Sequence, residues 1–127
     1  MVTGRCECGA VAFEVPSVRA EVTFCHCAQC RRLAGHHWAA THAPFSAVTF
    51  IADQSLKWYN SSDWAERGFC GTCGSTLFYR LKGEDDLGIA AGCIDSPTGL
   101  KPGKHLFVAD KGDYYDIAGD APQIQKY

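Results

Sequence analysis

Hydrophobic and polar positions alternate along most of this chain, in short segments separated by turn-forming residues. Residues 10–15 and 75–81, for example, place apolar side chains at every second position, which is the period of a half-buried β-strand. The same reasoning predicts strands at residues 36–43, 47–52, 55–61, 64–69, 86–94 and 104–109. Clusters of Asn, Ser, Asp, Gly and Pro between these segments predict turns. The chain is therefore expected to be mainly β.

Only one segment is typical of an α-helix. Residues 28–35 could form about two turns, and Gly35 is well placed to end them because glycine readily adopts a left-handed conformation. A further helical turn is predicted at residues 43–47. The Pro- and Gly-rich stretch 96–103 is the nearest approach to a domain boundary, but too little chain follows it to form a second domain. A single domain over residues 1–127 is expected.

The overall composition is that of an ordinary globular protein. The 127 residues carry a formal net charge of −2, so no global charge favours nucleic acid or an anionic membrane as a partner. The apolar runs are too short for a transmembrane helix, and the first ten residues lack the apolar core of a secretory signal. A cytoplasmic protein is expected, and the sequence predicts no particular oligomeric state.

Eight cysteines are unusual in a chain of this kind. They lie in close pairs and triplets, and residues as near as Cys6 and Cys8, or Cys25 and Cys27, cannot form an unstrained disulfide with each other. Without an export signal, clustered thiols favour metal binding over a disulfide framework. Zinc is the metal that such cysteine spacings most often bind in proteins.

Four of the cysteines form a complementary set. Cys70-Gly-Thr-Cys73-Gly is a zinc-knuckle pattern that supplies two thiolates to one ion. Cys6 and Cys8, expected on an extended segment with both side chains on one face, can supply the other two. The sequence therefore predicts a closed, structural four-cysteine zinc site that ties the N-terminal strand to a later hairpin.

A second group, Cys25, Cys27 and Cys30, offers three thiolates within six positions. Catalytic zinc typically keeps three protein ligands and an open fourth position. Spacing alone leaves two alternatives: an open tripod, or a second closed site completed by His26, by another histidine or by the distant Cys93. Arg31 and Arg32 follow directly and could offset thiolate charge or hold an anionic ligand.

Several sequence blocks resemble a known family. They are GRCECGAVAFEV, CHCAQCRRLAG, ERGFCGTCGSTLFYR and HLFVADKGDYYDI, which run in order from Gly4 to about Ile117. They are similar to the glutathione-dependent formaldehyde-activating enzyme family, which includes centromere protein V. The resemblance implies a β-tent-type fold of several coiled antiparallel sheets stapled by zinc. It also implies two zinc ions per chain: a structural one on Cys6, Cys8, Cys70 and Cys73, and a second on Cys25, Cys27 and Cys30 with an exchangeable fourth ligand.

The resemblance also implies an activity. This activity is the addition of a thiol to a small aldehyde. In the reaction for which the family is named, the thiol is glutathione and the aldehyde is formaldehyde, and the reaction is formally that of a carbon–sulfur lyase. A zinc held by three thiolates carries a net charge of −1, and a thiol that coordinates it is deprotonated. Arg31 or Arg32 could hold a glutathione carboxylate. Two other interpretations remain: a non-catalytic zinc-stapled binding module, and a sulfoxide-reductase-like redox protein with Cys93 as nucleophile.

Further residues have expected roles around these sites. His26 is expected to point away from the cysteine ligands and to bond nearby backbone, with proton transfer as the sharper alternative. His105 could help to line a pocket. Cys93 is expected in a strand as a small buried side chain. Glu66 and Arg67 are expected to form a cross-strand ion pair, although they could reach toward a substrate.

Overall fold

The architecture is built almost entirely from short strands. A computed structural model describes all of residues 1–127, with ten strands, one α-helix and three 3₁₀ turns. The strands are β1 (Val2–Arg5), β2 (Ala12–Val15), β3 (Glu21–Cys25), β4 (Trp38–Ala43), β5 (Thr49–Ala52), β6 (Leu56–Asn60), β7 (Ala65–Cys70), β8 (Thr76–Leu81), β9 (Leu87–Ala90) and β10 (Lys101–Leu106). The helix is α1 (Ala28–Ala34), and the 3₁₀ turns are Phe45–Ala47, Ala91–Cys93 and Val108–Asp110.

The strands form two sheets. The smaller sheet has the order β1-β2-β5, and the larger has the order β10-β3-β4-β9-β8-β7-β6. All neighbours are antiparallel except β3 and β10, which run parallel. Parallel strands are joined by a long connection, so they are far apart in the sequence. Here the pairing places residues near position 105 beside residues near position 25. The mainly β fold expected from the alternating pattern is confirmed.

The main core lies where the small sheet packs on the large one. Phe13 of β2 and Phe78 of β8 are both buried, and their rings meet edge to face with centroids 5.4 Å apart. Phe50 and Trp58 extend this aromatic cluster around Phe78. Buried aromatic rings contribute large apolar areas, so this cluster is the principal hydrophobic link between the sheets.

The sequence missed two strands. β1 contains Gly4, which weakens a strand pattern, and a Cβ at that position would come within 2.5 Å of the Phe13 ring. β3 is a five-residue strand whose partners β10 and β4 are not its immediate hairpin neighbours. Local alternation is weak only in β1, which pairs with the next strand, β2. β3 does alternate polar and apolar side chains from Glu21 to Phe24, so its strand pattern was a local signal that the sequence analysis overlooked.

The Pro- and Gly-rich stretch is not a boundary. Its last residues, 101–103, belong to β10, and the register with β3 shifts between Pro102 and Lys104. Gly103 is required there, because a Cβ would lie 2.7 Å from the Val22 carbonyl oxygen. The irregularity accommodates the proline, which cannot donate to a regular ladder. None of the helices is long and apolar enough to cross a membrane.

Candidate metal centres

The first cysteine group lies where the turn after β1 meets the turn between β7 and β8. The sulfurs of Cys6, Cys8, Cys70 and Cys73 all lie within 4.8 Å of one another. Cys6 and Cys8 are 3.7 Å apart, and Cys8 and Cys70 are 3.9 Å apart. A tetrahedral ion with Zn–S bonds of about 2.3 Å places its sulfurs about 3.8 Å apart. The donor set and its spacing therefore fit zinc.

Backbone N–H groups support this cluster. The amide of Val11 donates to Cys6 Sγ at 3.3 Å, and the amides of Thr72 and Cys73 point at Cys70 Sγ at 3.4 and 3.5 Å. Gly74, with φ of 81°, provides the left-handed residue that ends the knuckle turn. The expectation of an extended Cys6–Cys8 segment was wrong, because both residues lie in a turn, yet the turn also aims both sulfurs at one point.

Ser75 joins the two halves of the cluster. Its Oγ accepts a hydrogen bond from the Glu7 amide at 3.1 Å and lies 3.1 Å from Cys73 Sγ. Donation from the Ser75 hydroxyl lowers the pKa of the Cys73 thiol to about 5. A thiol that ionises readily is a ready metal ligand, because only the thiolate binds the ion.

The second group is built by the end of β3 and the start of α1. Cys25 is the last residue of β3, Cys27 caps the helix by accepting a hydrogen bond from the Cys30 amide at 3.3 Å, and Cys30 is buried in the first turn. Gly35, with φ of 82°, ends the helix as predicted, and its amide bonds the Arg31 carbonyl. The sulfurs of the three cysteines lie within 4.8 Å of one another. This group is called the tripod below.

The three thiols of the tripod differ in pKa. The pKa of Cys27 is lowered because the Cys25 and Cys30 thiols donate hydrogen bonds to its sulfur. The pKa of Cys25 is raised because ionisation would remove its own donation to Cys27 and Cys30. Further ionisation would crowd negative charge, so a positive ion is needed among the sulfurs if all three are to be thiolates. The donor set fits a soft divalent metal such as zinc.

No fourth histidine, cysteine or carboxylate joins the tripod. The ligand atoms that come together there are the three sulfurs alone. Cys93 is not in a strand as expected but ends the 3₁₀ turn Ala91–Cys93, where its thiol points at the Thr76 carbonyl, 3.9 Å away. Burial raises the pKa of the Cys93 thiol to about 11. Of the two alternatives left by the sequence, the geometry favours three protein ligands.

His26 and His105 bond each other rather than backbone. His26 Nε2 lies 2.8 Å from His105 Nδ1, and His26 Nδ1 lies 2.7 Å from the Tyr115 hydroxyl. The expectation that the His26 ring bonds backbone was therefore wrong, although the ring does turn away from the tripod. Burial lowers the pKa of His26 to about 4 and also lowers the pKa of His105. Both rings are neutral at pH 7.

The cation beside the tripod is Arg67. It is only 6% exposed, and its Nη2 lies 3.6 Å from Cys30 Sγ and 3.3 Å from the Gln29 side-chain oxygen. Its guanidinium also lies over the rings of Tyr79 and Trp38, at 4.9 and 5.8 Å from their centroids. A buried charge requires compensation. The Cys30 sulfur, the Gln29 side-chain oxygen and the two aromatic faces provide part of it, whereas Arg67 Nε and Nη1 are buried without a hydrogen-bond partner. The charge of Arg67 further lowers the pKa of Cys27.

The role predicted for Arg67 from the sequence was different. Glu66 does form a cross-strand ion pair, but with Arg80, at 3.8 Å. Neighbouring side chains of a strand point to opposite faces of the sheet. Glu66 therefore faces away from the tripod while Arg67 faces it, and this alternation could have separated the two roles from the sequence. Arg31 is half-buried on α1. Burial raises the pKa of Tyr115, and the positive charge of Arg31 opposes that rise.

Comparison with known proteins gives a consistent result. The family model described as glutathione-dependent formaldehyde-activating enzyme matches residues 1–110. A Schizosaccharomyces pombe protein named as an uncharacterised lyase is 29% identical over 122 residues, which is 91% of this chain and 84% of that protein. A Halomonas elongata protein, whose name assigns it provisionally as a glutathione-dependent formaldehyde-activating enzyme, is 29% identical over 127 residues, with 92% of this chain and 81% of that protein covered.

A solved structure agrees as well. The crystal structure of a Rhodobacter sphaeroides protein matches with a TM-score of 0.63 and 27% identity, covering 74% of this chain and 88% of the other. The family match includes both cysteine groups and Arg67, and it stops short of the C-terminal segment 111–127. On this evidence the chain belongs to the glutathione-dependent formaldehyde-activating enzyme family.

Proposed function

We propose that this protein is a zinc-dependent carbon–sulfur lyase that joins a thiol to a small aldehyde at the tripod. In the forming direction, the sulfur bonds the carbonyl carbon and the thiol proton ends on the carbonyl oxygen, giving a hydroxyalkyl thioether. Glutathione and formaldehyde are the first pair to test, because a relative's name mentions both. The observation that carries the proposal is the convergence of three sulfurs with no fourth protein ligand.

Residues of the chain would divide the work. Cys25, Cys27 and Cys30 would hold the ion, which when bound supplies an acidified thiol and so a thiolate nucleophile at neutral pH. Arg67 would offset the negative charge of the three thiolates, since its guanidinium already contacts Cys30. The apolar surroundings formed by Trp38 and Ala40 would limit water around the sulfurs.

We further propose that the four-cysteine site is structural and that the chain forms one β-tent-type domain. Cys6 and Cys70 are almost fully buried, which suits a closed site. All eight cysteines are free thiols, and free clustered thiols suit the reducing cytoplasm. These points support an intracellular enzyme with two zinc ions per chain.

The test is a screen of thiol and aldehyde pairs for adduct formation, with the parent protein compared with Cys27→Ser. The expected result is faster consumption of at least one pair by the parent, with the variant near the uncatalysed rate. The four-cysteine zinc of the variant should remain, which shows that the fold is intact. If no pair reacts faster with the parent, the activity is wrong for these substrates and the binding-module interpretation gains support.

The redox alternative has less support. Its nucleophile would be Cys93, but burial raises the pKa of that thiol, so little thiolate is present at pH 7. A sulfoxide-reductase assay on the parent and on Cys93→Ser tests it directly. Turnover of a methionine sulfoxide substrate by the parent, lost in the variant, would revive that alternative.

A further inference from the structure

A pocket of about 340 Å³ lies behind the strand that carries the tripod. Phe24 and His26 line it, whereas Cys25 and Cys27 do not, as expected where alternate side chains of an extended segment face opposite ways. The pocket is therefore separate from the space around the three sulfurs. Its size is within the range of small-molecule sites in proteins.

The inner wall of the pocket is a rigid set of rings. Phe24 stacks on His105 with centroids 4.9 Å apart and an interplanar angle of 20°, and His26 stacks on Tyr115 at 5.6 Å and 23°. His26 is hydrogen-bonded through one ring nitrogen to the Tyr115 hydroxyl and through the other to His105 Nδ1, which fixes this arrangement. His36 and His37 add two further imidazole rings to the lining. The wall is thus aromatic and preformed.

The lining contains two carboxylates and no lysine or arginine. Burial lowers the pKa of His37 and of His105, which disfavours a positive charge on these two rings. Asp116 and Asp120 line the pocket, and neither takes part in an ion pair of the chain. The cation beside this wall is Lys111, which lies 5.3 Å from the centroid of the Tyr115 ring and bonds the Tyr115 carbonyl, so the Phe24 and His105 rings are the part of the wall left to a ligand. Such a lining disfavours a ligand that carries carboxylates and favours a cation.

We propose that this pocket binds a small organic ammonium ion, with the cation against the aromatic wall and near the Asp116 and Asp120 carboxylates. Aromatic faces attract organic cations, and surrounding rings are a recurrent way of recognising alkylated ammonium groups. The outer wall comes from the loop 115–121, which lies beyond the residues matched by the family model. The site is thus additional to the thiol and aldehyde chemistry proposed for the tripod.

The test uses choline as the probe and dimethylbutanol, its uncharged isostere, as the matched ligand. Both are titrated into the zinc-loaded protein by calorimetry, while NMR follows the imidazole signals of His36, His37 and His105. Choline is expected to bind and to shift these signals, with an affinity about tenfold above that of dimethylbutanol, from cation–π attraction and two exposed ion pairs.

Variants separate charge from shape. Replacing both acids, Asp116→Asn with Asp120→Asn, should weaken choline binding about fivefold and leave dimethylbutanol binding unchanged. Asp113→Asn is the control, because Asp113 is exposed and does not line the pocket. Zinc content reports on the fold of each variant. Equal binding of the two ligands, no saturable choline binding, or a double variant that binds choline like the parent would each overturn the proposal.

Discussion

Replacing Arg67 with methionine should weaken metal binding at the tripod and leave the four-cysteine site unchanged. Methionine preserves much of the volume packed between Trp38 and Tyr79 but removes the charge. The guanidinium is 3.6 Å from Cys30 Sγ, where two unit charges at an effective dielectric constant of about 20 interact by about 4.6 kcal/mol.

The expected loss is a fraction of that value. A three-thiolate zinc carries a charge of −1 that is shared among its sulfurs, so the share on Cys30 interacts with Arg67 by about 1.5 kcal/mol. This energy corresponds to about a tenfold lower affinity for the second zinc. In the metal-free tripod the Cys27 sulfur already carries negative charge, because the neighbouring thiols and Arg67 lower its pKa, so this interaction is an upper limit to the loss. Arg67→Lys should lose less affinity, since it retains the charge without the planar contact to the rings.

The assay is a competition titration of each zinc ion against a chelator of known affinity. Arg80→Met is the control, because Arg80, like Arg67, lies over an aromatic ring, that of Phe45, but pairs with the Glu66 carboxylate and does not contact the tripod. If Arg67→Met binds its second zinc as tightly as the parent and Arg80→Met do, the charge of Arg67 does not support the tripod and the electrostatic reasoning is wrong.

Three other predictions concern the scaffold. Gly4→Ala should lower the free energy of unfolding by about 1–3 kcal/mol, measured by urea denaturation, because the added methyl would lie 2.5 Å from the Phe13 ring; an unchanged midpoint would contradict this. Ser75→Ala should speed zinc loss from the four-cysteine site in a chelator assay, since the hydroxyl bonds Cys73 Sγ and the Glu7 amide; equal loss rates would count against that role. Burial holds the pKa of His105 below its ordinary value, so the unfolded chain binds its proton first and stability falls as pH drops below about 6.5. His105→Gln should make that fall shallower between pH 7 and 5, and an identical pH slope in the two proteins would refute the assignment.

Cysteine spacing predicted more of the site than any other feature did. A knuckle such as Cys70–Cys73 has few local conformations, and its trailing glycine takes the expected left-handed turn. The helix end at Gly35 was predictable for the same reason, because local chemistry decides it. The convergence of Cys6 and Cys8 with the knuckle could be predicted by counting ligands, even though the local backbone is a turn and not a strand.

Features that depend on distant pairing were not predictable. Alternation indicates only that Arg67 and Glu66 face opposite ways, and the pairing of β7 with β8 decides which of those faces meets the tripod. The pocket exists because the parallel pairing of β10 with β3 brings His105 to His26. The loop 115–121 then closes the pocket from a part of the chain with no strand pattern. Such contacts follow from topology, on which short-range alternation carries little information.

We propose that the second metal centre has three protein sulfurs and an exchangeable fourth ligand. Zinc X-ray absorption fine structure on protein loaded with two zinc ions per chain measures the mean number of sulfurs around zinc. The mean of four and three ligands is about 3.5 sulfurs per zinc, and addition of a thiol should raise it to about 4. Four sulfurs per zinc before any thiol is added, or the outer-shell scattering of a zinc-bound imidazole, would contradict the account.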